Sequence, residues 1–229
     1  MLWLSGWLAA TYFKRLRSEI AEGREDFSVI QTATLTLLGL IIGFTFSMAL
    51  NRYDQRKNLE EEEANAIGTE YVRADYLPDA DAAKVRALLL SYLDQRVLFY
   101  TTRDEEQVKQ IDDRTAKLQA ELWSTLRTPA SAQPTPVMAV LVSGMNDVLN
   151  SQGYTQAAWR NRIPIAAWGP MTAIAVCATI LVGIGATSAR ANSHLLPAVL
   201  PLVVSIAFYL IADIDTPRRG IINVVPQTS

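Results

Sequence analysis

Apolar and polar positions fall in long blocks along this chain. Three runs, about Phe27 to Leu50, Ile165 to Thr187 and Leu195 to Ile214, are almost wholly apolar. A bilayer core about 30 Å thick needs roughly 20 apolar residues of helix to cross it. Only a helix satisfies its own backbone there, so each run reads as a transmembrane helix. The expected class is an all-α integral membrane protein: three transmembrane helices, with an extramembrane antiparallel helical bundle inserted between the first and the second. The expected divisions are an N-terminal segment (1–26), spans at 27–50, 163–187 and 195–214, a helical domain (51–162), a short loop (188–194) and a tail (215–229). Met1 to Phe13 is apolar and carries Trp3, Trp7, Tyr12 and Phe13, but is too short to span. Aromatic residues favour the headgroup boundary, so an interfacial or re-entrant segment is expected, with part of a fourth span as the alternative.

The polar domain shows helical periodicity and no strand-like alternation. No breaker interrupts it from Asn51 to Pro78, so the first span should continue out of the membrane as one long helix. Asp79 or Asp81 is placed to cap the next helix, whose apolar stripe is Val85, Leu88, Leu89, Tyr92 and Leu93. A third helix should start near Asp104. Thr128 to Pro136, with three prolines, reads as a loop, and a fourth helix as Val137 to about Asn150.

Charge sharpens this division. The stretch 51–162 holds 14 Lys and Arg against 17 Asp and Glu, an ordinary soluble composition. A net charge of −2 provides no basic field for a nucleic acid. With three spans, the domain and the C-terminus share one side. That side carries Arg52, Arg56, Lys57, Arg160, Arg162, Arg218 and Arg219 near the membrane, against Lys14, Arg15, Arg17, Arg24 and Arg190 on the other. Basic flanks are retained inside, so the helical domain is expected on the cytoplasmic side of the membrane.

Catalytic chemistry finds little support. Glu60 to Glu63 are consecutive acids, but consecutive helical carboxylates point 100° apart and calcium wants six to eight oxygens. A solvated helix face is the expectation. His194 is the one histidine and Cys177 the one cysteine, so neither has a partner for a metal site or a nucleophilic pair. No catalytic residue, metal or cofactor is assigned, and Cys177 reads as a small apolar filler.

The spans say more. Thr32, Thr36, Gly39, Gly43 and Ser47 recur by three and four residues along the first. Such a row of small residues allows close helix packing, the first expectation; in an oligomer it could instead line a narrow polar passage, with Phe44 or Phe46 as an apolar constriction. The third span ends at Asp213 and Asp215, acids that need water or a base at the boundary. Arg52 and Arg56, leaving the membrane on the same side, are the expected partners. Further structural or ion-interacting candidates are Glu63, Asn65, Arg73 and Asp75.

Ordered blocks of residues resemble the bacterial bestrophin-like membrane proteins. They are Gly43-Phe44-Thr45-Phe46-Ser47, Arg52-Tyr53-Asp54-Gln55-Arg56, Glu63-Ala64-Asn65-Ala66-Ile67-Gly68-Thr69 and Arg73-Ala74-Asp75-Tyr76-Leu77-Pro78. Further along come Tyr92-Leu93-Asp94-Gln95-Arg96, Arg162-Ile163-Pro164, and Asp213-Ile214-Asp215-Thr216-Pro217 with Gly220. The resemblance implies a homo-oligomer in the lipid bilayer, pentameric by analogy, passing ions along its first long span. Bestrophins have a complete additional first span and a calcium-binding acidic loop; the N-terminal apolar piece here is shorter, and no such loop maps onto this chain. The alternative function is a membrane-anchored sensor or scaffold whose helical domain binds a ligand or partner protein.

Overall fold

The computed structural model describes residues 24–186, 196–218 and 220–222, and all regular structure among them is helical. Six α-helices follow in order: α1 Arg24–Arg73, α2 Asp79–Thr101, α3 Glu105–Ala132, α4 Pro136–Arg160, α5 Ile165–Ala186 and α6 Leu196–Asp215. A single 3₁₀ turn, Ala74–Tyr76, follows α1. The segments before Arg24 and from 187 to 195, with His194, lie outside the described residues, as does Arg219.

Two compact units divide the described chain: residues 24–51 with 162–215, and residues 52–161 with those from Thr216 on. In the first unit, three helices are long and apolar enough to cross a membrane. Leu38 of α1, Ala175 and Ala178 of α5, and Val204 of α6 form its packed centre, with Leu35, Ile42, Ile174, Leu200 and Phe208 against it. Both alanines are fully buried, because small side chains are what let helices approach closely in lipid. Trp168 meets Phe208 edge to face at 6.1 Å.

The second unit is the helical bundle. Val85, Leu89 and Tyr92 of α2, Leu122 and Leu126 of α3, and Leu141, Met145 and Val148 of α4 make one core with Ile67, Ala74 and Leu77. Each of the Val, Leu, Ile and Met side chains gains roughly 1.5–3 kcal/mol by leaving water. Helix ends follow local chemistry. Asp104 caps α3 by accepting from the Glu106 N–H at 3.0 Å, and Thr135 caps α4 by accepting from Met138 N–H at 3.2 Å, with Pro136 in the first position.

Three local expectations need correction. Asp79 and Asp81 do not cap α2; they lie within its first turn after Pro78, where carboxylates face the positive end of the helix dipole. Residues 128–132 are not loop: α3 runs through Pro129 to Ala132, and only Gln133–Thr135 separates it from α4. A proline near a helix end removes one backbone bond without ending the turn, and Gln133 N–H closes on the Pro129 carbonyl at 3.0 Å. Helix α4 also passes Asn150 and stops at Arg160, just short of Pro164.

Candidate functional site

Helical period decides which side chains of α1 turn inward. In its first part, Leu38, Ile42, Thr45 and Ala49 face α5 and α6 or are buried. The row Thr32, Thr36, Gly39, Gly43 and Ser47 falls roughly 100° or more further round, and every one of these residues is exposed in the single chain. Phe44 (63 %) and Phe46 (37 %) are exposed too. Thr36 donates its hydroxyl to the Thr32 carbonyl at 2.9 Å, so the hydroxyl is satisfied by its own helix.

Through the second part of α1 and into the 3₁₀ turn, Arg56, Glu60, Glu63, Ile67, Glu70 and Ala74 recur in steps of four and three, and all are buried. The four acids are therefore not one solvated face. Glu61 and Glu62 are exposed, while Glu60 and Glu63, three residues apart, turn inward together. Glu63 Oε1 accepts from Arg96 Nε at 2.5 Å, and its Oε2 accepts from Arg96 Nη2 at 3.3 Å and from Tyr100 Oη at 2.5 Å. Paired, hydrogen-bonded charges are the form in which ions tolerate burial.

Aromatic rings surround this pair. Phe99, Tyr100 and Trp159 meet with centroids 5.4–5.5 Å apart. Arg96 lies 4.4 Å above the Phe99 ring, and Arg218 lies 4.6 Å from it, placing two guanidinium groups on one aromatic side chain. Arg218 also donates to the carbonyls of Phe99 and Thr102, both at 2.9 Å. A cation is thus seated on the negative end of α2, where carbonyls lack helical partners. Burial, then the Glu63 carboxylate, pushes the Tyr100 phenol well above its ordinary value, so it stays a donor. Tyr92 is raised first by burial as well. Burial works to lower the Arg96 pKa, but Glu63 outweighs it and the guanidinium is held protonated.

Beside this cluster, α1 and α2 leave an open groove of about 500 Å³, floored by Glu63, Arg96 and Tyr100 and walled by residues that include Asn65, Gly68, Tyr71 and Leu90. At the end of α1, Asp75 pairs with Arg86 of α2, while Arg73 stands 3.7 Å from the buried Glu70. In the span unit, Asp215 accepts from the Ile163 N–H at 2.8 Å, tying the end of α6 to the entry of α5. Asp213 is half-buried, as is Arg52, and Cys177 is exposed on α5. Among the described residues, no group of three or more His, Cys, Asp or Glu is placed to hold a metal ion.

Sequence reasoning missed Arg96, Phe99, Tyr100, Trp159 and Arg218 as one assembly. A signal existed: Arg96 and Phe99 continue the inward stripe of Leu89 and Tyr92 beyond Leu93, by steps of four and three. The quoted sequence blocks also meet in pairs, the one at Glu63 with the one at Arg96, and the one at Ile163 with the one at Asp215.

These features have a known setting. The model of the Bestrophin-like domain matches residues 8–229. No curated protein matches the chain in sequence. Among solved structures, a mutant of a bacterial Bestrophin homolog from Klebsiella pneumoniae is similar with a TM-score of 0.71 at 10% identity, over 99% of this chain and 91% of that one. Another structure of the Klebsiella pneumoniae homolog gives 0.67 at 13% identity, over 98% and 91%. At such identity the likeness is one of fold. The matched domain covers nearly the whole chain, which is therefore a bestrophin-like membrane protein.

Proposed function

We propose that this protein is a homo-oligomeric ion channel of the bacterial inner membrane, with α1 lining the passage and the helical bundle in the cytoplasm. One observation carries the reading. Only 11% of the apolar stretch of α1 is buried within its own chain, against 33% for α6. The helix with the least cover is the one that bears the hydroxyl and glycine row, and that row faces away from its own partners. Several copies around an axis would bring Thr32, Thr36, Gly39, Gly43 and Ser47 to a shared lumen, where hydroxyls and backbone replace part of an ion's water. Phe44 and Phe46 are the apolar constriction in this arrangement. Asp213 and Asp215, with Arg52 and Arg56, are charged groups for the membrane boundary.

Gly43→Trp fills the lumen in this reading. Purified protein in liposomes is expected to pass small ions, and Gly43→Trp to abolish flux while particle size on a sizing column is unchanged. A well-formed oligomer that passes neither small cations nor small anions would overturn the proposal. The groove between α1 and α2 favours a second reading, a sensor whose bundle binds a ligand or partner. That reading predicts a silent Gly43→Trp phenotype and loss of signalling when Gly68→Phe fills the groove.

A further inference from the structure

Glu70 sits on the inward stripe of α1, one turn before the helix ends, and is fully buried. Neither carboxylate oxygen has a hydrogen-bond partner among the described residues. The nearest cation, Arg73 Nη1, is 3.7 Å away on a side chain one-third exposed. Space for the carboxyl group is provided by α4: a Cβ at Gly144 would collide with Glu70 Oε2 and Arg73 Nη1. At this level the contact between α1 and α4 is the Glu70 carboxyl group, with the Arg73 guanidinium beside it, lying against a glycine.

An ionised carboxylate there has lost its water and keeps one long ion pair, to the partly exposed Arg73, whereas a neutral acid loses far less. Burial accordingly raises Glu70 from 4.5 to about 7; Arg73 opposes the rise and Asp147 of α4 adds to it. The neighbouring turn and α2 contribute Asp75 and Arg86, which are turned to each other.

We propose that Glu70 is a proton-operated latch between α1 and α4: neutral, it closes the contact over Gly144; ionised, it leaves for water and loosens the two helices. Because the folded carboxyl holds its proton more tightly than a solvated one, the closed contact is favoured in acid. That advantage is complete below about 4.5, declines as pH rises through about 7, and changes no further above that. The device is independent of what, if anything, crosses the membrane.

Hydrogen exchange of residues 136–150 in the full chain, held in lipid nanodiscs, tests this between pH 5.5 and 8, after correction for intrinsic exchange. Opening is expected to be on the order of tenfold more frequent at pH 8. Glu70→Gln should exchange slowly at both values, and Gly144→Ala, which drives the carboxyl out, quickly at both. His194→Gln removes the one histidine, the other side chain that ordinarily titrates in this range, and should keep the native profile. A native profile that is flat with pH overturns the latch whether or not the variants fold; so does a pH dependence that survives in Glu70→Gln or vanishes in His194→Gln.

Discussion

The two units of this chain use polarity in opposite senses. In the span unit many large apolar side chains face outward: Val29 is 67 % exposed, Phe44 63 % and Leu202 60 %. In the bundle, charges face inward, and Arg56, Glu60, Glu63, Glu70 and Arg96 are all buried. A single helix serves both. Its inward stripe reads Leu38, Ile42, Thr45, Ala49 and later Arg56, Glu60, Glu63, Ile67, Glu70, in steps of three and four within each part. Helical period chooses the face, and the medium outside decides what that face must contain. Apolar surface costs nothing against lipid, whereas an acid buried in a bundle in water is either hydrogen-bonded, as Glu63 is, or pushed towards its neutral form, as Glu70 is.

The largest effect should come from breaking the ionic interior where it is best bonded. Arg96→Met strands the Glu63 carboxylate with Tyr100 alone, at an expected cost of about 3–5 kcal/mol. Chemical unfolding in detergent, followed by tryptophan fluorescence, measures it. Adding Glu63→Leu to the same chain should restore most of the loss, because an apolar pair of similar volume needs no partner. If the double change is as damaging as the single one, Arg96 acts by packing on Phe99 rather than by charge.

A smaller loss is expected from the C-terminal segment. Arg218→Gln removes the cation from the end of α2, its bonds to the Phe99 and Thr102 carbonyls, and its stacking on Phe99 and Trp159. Charged hydrogen bonds and a partly desolvated cation–π contact together suggest about 1.5–3 kcal/mol, read as a lower denaturant midpoint. Arg218→Lys should recover part of it, since the charge stays but the planar, two-bond geometry goes. Equal stability of Arg218→Gln and the native chain would make this arginine an ordinary surface charge.

The same contrast explains what the sequence disclosed. Three spans and an all-helical fold were legible because lipid demands long apolar runs, and the unbroken stretch to Pro78 foretold the length of α1. The family resemblance was legible in the ordered blocks, and the domain match bears it out. The bundle interior was hidden because its stripe on α1 is written in charged residues, which a hydrophobicity pattern assigns to solvent. Glu63 finds Arg96 and Tyr100 33 and 37 positions away, and nothing local announces that pairing. The proline-rich stretch misled for a local reason: Pro129 falls in the last turn of α3, where the lost bond and the crowding of its ring affect only the helix end.

The smallest stability effect belongs to the span unit, and it bears on function most directly. Thr36 is exposed on α1 and its hydroxyl is already satisfied by the Thr32 carbonyl. Thr36→Val keeps the shape and removes the oxygen, so stability should shift by no more than about 0.5 kcal/mol. If the row faces a lumen, losing that oxygen lowers ion conductance in planar bilayers while unfolding and particle size stay native, because a permeating ion loses a polar contact the fold never needed. If the row is only a packing surface in lipid, conductance is untouched as well. A change in conductance without a change in stability therefore separates a passage from a seam, which Gly43→Trp, acting by bulk, does less cleanly.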